Sequence, residues 1–250
     1  MSKKMLFFAL VLTSLLLSAC SLAQIGKQIG QTTVTGSGKL ASESRVVSGF
    51  DQVELDGIGE VQVQVNDGQE GLQVEAEDNL LKYLKTEVRG STLVISTQED
   101  IHLRPTKPVR FTVSTQALQG LAIGGSGNIT VDEVQADRLR LGVSGTGNIL
   151  VKNLQAERLD TIITGSGSVE VGGRAQSQTV ELSGSGSYNA YNLENAAAEV
   201  TISGSGNAVV WTTDNLKSMI SGSGSIHYFG KPNMSQAITG LGRVSGMGSK

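Results

Sequence analysis

The chain has 250 residues, 32 of them glycine, only 4% aromatic, and carries a formal net charge of -3. That length suits one elongated domain, the glycine favours β-structure over a helical bundle, and the acidic balance argues against nucleic acid, which calls for a concentrated basic surface. The single cysteine, Cys20, excludes an intrachain disulfide and a thiolate metal cluster.

Lys3 and Lys4 form a basic start, and Met5 to Leu17 is a 13-residue apolar stretch, too short for the ~20 residues of a membrane-spanning helix. It closes with Leu17-Ser18-Ala19-Cys20, which resembles the lipobox of bacterial lipoprotein signal peptides. The resemblance implies a signal peptide over 1–19, cleavage before Cys20 and lipidation of the Cys20 thiol, which makes the membrane the first expected partner. Stable anchoring takes more than one acyl chain, at ~0.8 kcal/mol per buried CH₂, and a lipoprotein cysteine supplies them. Ser21 after that cysteine, in place of Asp, fits sorting to the outer membrane if the cell has one. Without Lys3 and Lys4 the chain holds 18 basic and 23 acidic residues, a net -5.

Residues 20–44 are polar and punctuated by Gly26, Gly30, Gly36 and Gly38, a composition that predicts a flexible tether. The phrase Gly36-Ser37-Gly38 lacks flanking apolar columns. The folded domain is expected over 45–250. Its first half alternates apolar and polar residues at period two, as in Phe50 to Leu55, Val61 to Val65 and Leu72 to Ala76, which predicts strands. Asn66-Asp67-Gly68 is a turn signal. Asp78-Asn79 is expected to cap one helical turn through Leu80, Leu81 and Leu84. Lys85 to Val88 and Thr92 to Ser96 read as a hairpin about Arg89-Gly90, and the locally basic loop 98–108, with His102, Arg104 and Lys107, as a connector.

From Leu118 one phrase recurs: Gly125-Ser126-Gly127, Gly145-Thr146-Gly147, Gly165-Ser166-Gly167, Gly184-Ser185-Gly186, Gly204-Ser205-Gly206 and Gly222-Ser223-Gly224, then Gly240-Leu241-Gly242. The first glycines step by 20, 20, 19, 20, 18 and 18 residues, a period that signals stacked repeats. Apolar columns keep register with them: Ile123, Val143, Ile163, Leu182, Ile202, Ile220 and Ile238 before the glycines; Ile129, Ile149, Val169, Tyr188, Ala208, Ile226 and Val244 after; then Val131, Val151, Val171, Ala190, Val210 and Tyr228. Spacing by two means strands. The expected fold is all-β: a right-handed parallel β-helix, or solenoid, of ~20-residue coils with irregular N-terminal coils, its coils stacking at ~4.8 Å into a rod on the order of 34 Å long. Glycine at the corner is expected both for positive φ and for close approach without Cβ. Ladders of Ser or Thr, and of Asn128, Asn148, Ser168, Ser187, Asn207 and Ser225, should satisfy one another rung by rung.

Several motifs fall short of chemistry. A phosphate-binding loop needs Gly-Lys-Ser/Thr before a helix, and Gly38-Lys39 continues with Leu40. Gly240-Leu241-Gly242 with Gly246 misses the dinucleotide spacing, and Ile129 stands where a calcium-binding nonapeptide places Asp. His102 and His227 have no partner at metal-ligand spacing. The outward column Arg140, Asp160, Thr179, Glu199, Lys217 holds two carboxylates about 9.6 Å apart by strand spacing, beyond the ~6.5–9.5 Å of inverting glycosidases. No catalytic residue, metal or cofactor is expected. More informative is the aromatic column Tyr191, Trp211, Phe229, which places three rings on consecutive coils as an outward ladder fit to stack on sugars or a partner protein, or to pack under the C-terminal tail.

Phe50 to Leu55, Val61-Gln62-Val63, Glu75 to Leu81 and the Gly-Ser-Gly repeats together resemble the auto-transporter adhesin head domain, the GIN domain, over roughly Val46 to Val244. The resemblance implies a right-handed β-helix on a bacterial envelope protein and supplies no catalytic residues. The function expected is a lipid-anchored envelope domain for binding or structural display, adhesin-like or glycan-binding. The alternatives are an envelope polysaccharide-processing enzyme, or a periplasmic partner-protein module of an envelope-stress or transport system that binds through a sheet edge.

Overall fold

The computed structural model describes residues 32–66 and 68–250. The signal peptide over 1–19, Cys20 and residues 21–31 of the expected tether lie outside the described residues, as does Asp67 of the turn.

Within the segment expected to be a tether, residues 32–35 and 40–44 form strands. β1 (Thr32–Thr35) and β2 (Leu40–Arg45) open the chain, followed by β3 (Gln52–Asp56), β4 (Glu60–Val65) and β5 (Gly71–Glu77). A 3₁₀ turn at Leu81–Tyr83 leads into the hairpin of β6 (Leu84–Arg89) and β7 (Thr92–Thr97), then β8 (Ile101–Arg104) and β9 (Arg110–Thr115). β1 runs parallel to β8, while β2 pairs antiparallel with β5 and β5 with β9. These antiparallel strands close the N-terminal end. The expected cap at Asp78-Asn79 is corrected: the N-cap is Leu80, without a side-chain bond. Asp78 and Asn79 turn instead to the opening segment, where Ser37 Oγ donates to Asp78 Oδ1 at 2.6 Å and Asn79 Nδ2 to the Thr35 carbonyl at 2.8 Å.

Regular coils begin at β10 (Gly120–Ile123), which lies parallel to β3. β11 (Asn128–Val143), β12 (Asn148–Ile163), β13 (Ser168–Leu182), β14 (Ser187–Ile202) and β15 (Asn207–Ile220) follow, each parallel to the next. β16 (Ser225–Phe229), β17 (Asn233–Ile238) and β18 (Arg243–Gly246) complete a parallel β-solenoid. Each long strand bends at its corners, adding a side at Glu133–Ala136 that the two-strand reading of a coil had not included. Val134, Leu154 and Leu193 are its buried column.

The predicted columns form the core. Ile123, Val143, Ile163, Leu182, Ile202 and Ile220 are buried, as are Ile129, Ile149, Val169, Tyr188, Ala208 and Ile226. Each full burial of such an aliphatic side chain contributes ~1.5–3 kcal/mol, and only stacked neighbours provide it. The exception confirms the cause: Ile238 is 41% exposed, because among the described residues no coil stacks beyond it.

Glycine at the corner serves close approach alone. None of the glycines in the six Gly-Ser/Thr-Gly corners has a positive φ, whereas a Cβ on Gly165 would lie 2.0 Å from the Gly145 carbonyl oxygen. The chain passes so tightly over the coil beneath that only a hydrogen fits, and the gap is closed by backbone bonds such as Ser166 N to Gly145 O at 3.0 Å. One position later the expected polar ladder is present in segments: Asn148 Nδ2 donates to Asn128 Oδ1, Ser168 Oγ to Asn148 Oδ1, and Ser225 Oγ to Asn207 Oδ1.

Candidate functional site

Coil length decides how the three predicted rings meet. β15 has 14 residues where β14 has 16, and the pairing jumps from Ala190↔Val210 to Glu194↔Trp211, leaving Tyr191, Asn192 and Leu193 on a bulge. The predicted ladder of consecutive neighbours is therefore corrected: Trp211 pairs in register with Phe229, while Tyr191 stands on the bulge. The rings still converge. Tyr191 meets Phe229 edge to face with centroids 5.0 Å apart, within the range of favourable aromatic pairs. Tyr191 is exposed, and Trp211 and Phe229 are half-buried.

Two interior contacts hold this corner. Asn195 is buried in the column that Ala136, Ala156 and Ala175 occupy in earlier coils. Its Nδ2 donates to the Trp211 carbonyl at 2.7 Å, and its Oδ1 accepts from Thr212 Oγ1 at 3.1 Å. On the bulge, the Tyr191 N–H donates to Asn189 Oδ1 at 3.1 Å. Both amides replace ladder bonds that the two-residue deletion removes.

The C-terminal tail reaches the rings. Beyond β18, the Met247 N–H donates to the Tyr228 carbonyl at 2.8 Å and the Gly230 N–H to the Gly248 carbonyl at 3.0 Å. Lys250 Nζ then lies 3.7 Å from the Tyr191 ring centroid and 4.6 Å from that of Trp211, and donates to the Tyr191 carbonyl and to Asn192 Oδ1. Beside it is a cavity of about 430 Å³ lined by Asn189, Tyr191, Val209, His227, Phe229 and Met247. Lys250, Met247 and Asn192 were missed by sequence reasoning; the repeat steps of 18 that shorten these coils were the available signal.

The outward charged column aligns as read, Arg140, Asp160, Thr179, Glu199 and Lys217 being register neighbours. Its carboxylates are engaged: Asp160 by both Arg138 and Arg158, Glu199 by Lys217 at 2.8 Å. Such self-paired charges make a solvated flank. Among the described residues no group of three or more His, Cys, Asp or Glu is placed to hold a metal ion. His102 is exposed on β8, and His227 lines the cavity just described.

A second cluster also went unread. Glu77 is fully buried, and its carboxylate accepts from Thr106 Oγ1 and the Gly38 N–H at 2.6 Å and from the Thr106 N–H at 2.8 Å. The Thr106 hydroxyl above all, with the backbone N–H groups of Thr106, Gly38 and Lys107, holds this carboxyl below its ordinary value against the opposing effect of burial. Gly36 is needed here, since a Cβ would overlap the Glu77 carboxylate. The loop read as a connector and the glycine phrase read as tether are the two sides of one clamp.

Chemistry displayed on the corners and flat sides of a stacked rod, rather than in a cleft between domains, defines a β-solenoid with a surface site. The chain belongs to the family described as "Putative auto-transporter adhesin, head GIN domain", whose model matches residues 49–232. The fold is similar to that of a "putative adhesin" from Bacteroides fragilis, at a TM-score of 0.82 and 26% identity over 86% of this chain and 100% of that one. A "putative lipid binding protein" from Parabacteroides distasonis matches at 0.74 and 26%, with the same coverage. A "putative adhesin" from the same species matches at 0.68 and 25%, again over 86% and 100%. No curated protein matches the chain in sequence.

Proposed function

We propose that this protein is a lipid-anchored, adhesin-like binding module of the cell envelope, displayed outside the cytoplasm, whose recognition surface is the cluster of Tyr191, Trp211 and Phe229. The observation that carries the reading is that one corner of the solenoid holds the Tyr191–Phe229 edge-to-face pair, with Trp211 paired in register with Phe229 and joined to Tyr191 through Lys250. Aromatic faces of that kind stack on sugars and on partner side chains, and the ladder-bonded coils that carry Trp211 and Phe229 hold those two rings at little ordering cost on binding. The adhesin character of the family and of the structural relatives supports it. The Leu17 to Cys20 box supports the anchor, and the lipid-binding description of one relative accords with an envelope setting.

Two measurements test the reading. Cys20→Ala should release the protein into the soluble fraction or block its processing, seen by fractionation and mass spectrometry; unchanged processing and membrane association contradict the anchor. The soluble chain, without Cys20, should bind members of a glycan array or an envelope protein and leave polysaccharide substrates uncleaved. Cleavage would favour the enzyme reading instead.

A further inference from the structure

We propose that the corner formed by Tyr191, Trp211 and Asn192 is a binding cage for a primary alkylammonium group, held closed in cis by Lys250 and open in trans to a lysine side chain of a partner protein. This deepens the ring-cluster reading by naming the ligand chemistry, and it rests on that reading for its biological setting.

The contacts of Lys250 outline the cage. Its ammonium faces two aromatic rings, whose negative faces attract cations, and donates to two oxygens, the Tyr191 carbonyl and Asn192 Oδ1. An ammonium with three N–H donors is matched by acceptors and π-faces converging from several directions, an arrangement that favours a cation over an anion or a neutral hydroxyl. The Tyr191 carbonyl is available because the bulge takes residues 191–193 out of the ladder pairing with β15. The same bulge swings Tyr191 over Phe229, so one backbone irregularity creates both the acceptor and the ring wall.

The occupant is tethered rather than built in. The last backbone bond of the tail is at Gly248, a residue with positive φ, and Lys250 is itself exposed. A lysine two residues beyond that bond is an intramolecular competitor at roughly millimolar effective concentration, which an incoming ligand must displace. Next to the cage, Val209, Phe229 and Met247 line the cavity and can receive the aliphatic stem of such a ligand. An extended partner segment bearing a lysine would thus repeat in trans the contacts that the tail makes in cis.

Trp211 is the only tryptophan of the chain, so its emission reports the cage directly. Full-length protein and its Lys250→Gln variant are titrated with n-butylammonium, and with n-butanol as the neutral isostere, at 0.15 M salt, where a Debye length of ~8 Å limits the influence of Lys231 and Arg243. The expected result is a saturable change with butylammonium only, at a roughly threefold lower midpoint in Lys250→Gln than in the wild type. Adding Tyr191→Ala to Lys250→Gln should abolish saturation while the circular dichroism spectrum and melting temperature stay near those of the parent. Identical titrations with and without Lys250, equal responses to butanol, or saturation that survives Tyr191→Ala each overturn the proposal. Envelope or glycan binding that needs Trp211 without any butylammonium response would overturn the cage and leave the ring-cluster reading standing. A butylammonium response with envelope binding indifferent to Trp211 would do the reverse.

Discussion

Asn195, an interior amide, donates to the main-chain carbonyl of Trp211 at 2.7 Å, so a core side chain fixes the position of a surface ring. The bond crosses from β14 to β15 where the shorter coil has lost part of its ladder. Asn195→Ala leaves that carbonyl and the Thr212 hydroxyl without their partner, at a cost of ~1–3 kcal/mol. Urea denaturation should show the loss. Trp211 emission in the native state should shift to the red as the corner loosens. Unchanged stability would mean that water takes over both bonds.

The corner glycines permit a sharper test. Gly165→Ala drives a Cβ to 2.0 Å from the Gly145 carbonyl oxygen and 2.5 Å from that of Ser144, both backbone atoms locked in the stack. Neither can rotate away, so the coils must separate locally, costing ~1–3 kcal/mol or more. Because φ at Gly165 is not positive, strain in φ contributes nothing, and the lowered melting temperature reports steric exclusion less the ~0.4–1 kcal/mol by which the substitution restricts the unfolded chain.

Acid should open the N-terminal clamp. The carboxyls of Glu77 and Asp78 are both held below their ordinary values, Glu77 by the Thr106 hydroxyl first and Asp78 by the Ser37 hydroxyl first. A depressed folded value means that the stabilisation is complete above the unfolded value, about 4, and is lost as pH falls through the folded value. Hydrogen exchange should therefore show residues 32–39 protected at pH 6 and progressively released at a second, acidic pH below the unfolded value, before the coils from β11 to β15 open. Glu77→Gln should release the same segment already at pH 6. Equal protection at both pH values would contradict the role assigned to Glu77.

The contrast between clamp and coils explains what could be read from the residues. Ile123 to Ile220 and Ile129 to Ile226 repeat at the coil period, so identical local physics recurs and the columns announce themselves. Glu77 meets Gly38 and Thr106 through separations of 39 and 29 residues with no repetition, so no local pattern marks the contact. Gly36-Ser37-Gly38 accordingly looked like a linker. The ring column was legible by counting from the glycines, yet the counting hid the bulge at 191–193, because the residues lost from the next coil are missing at the rings themselves, between Val210 and Trp211, and an equal count from the glycines does not show where a gap falls. Lys250 is brought to Tyr191 across 59 residues by strand pairing at Gly230 and Tyr228, and only the folded chain reveals it.

The most direct test of the account compares the envelope ligand bound by soluble protein with that bound by two variants on different sides of the rod. Trp211→Ala removes the central ring, and Ile162→Ala trims a side chain that is 50% exposed on another side. Loss at a half-exposed position should cost ~1 kcal/mol or less in stability, which a melting curve verifies before binding is compared. The account predicts that Trp211→Ala weakens binding tenfold or more, about 1.4 kcal/mol, while Ile162→Ala binds as the wild type does. Equal binding by all three proteins would contradict it and move the recognition surface away from the rings.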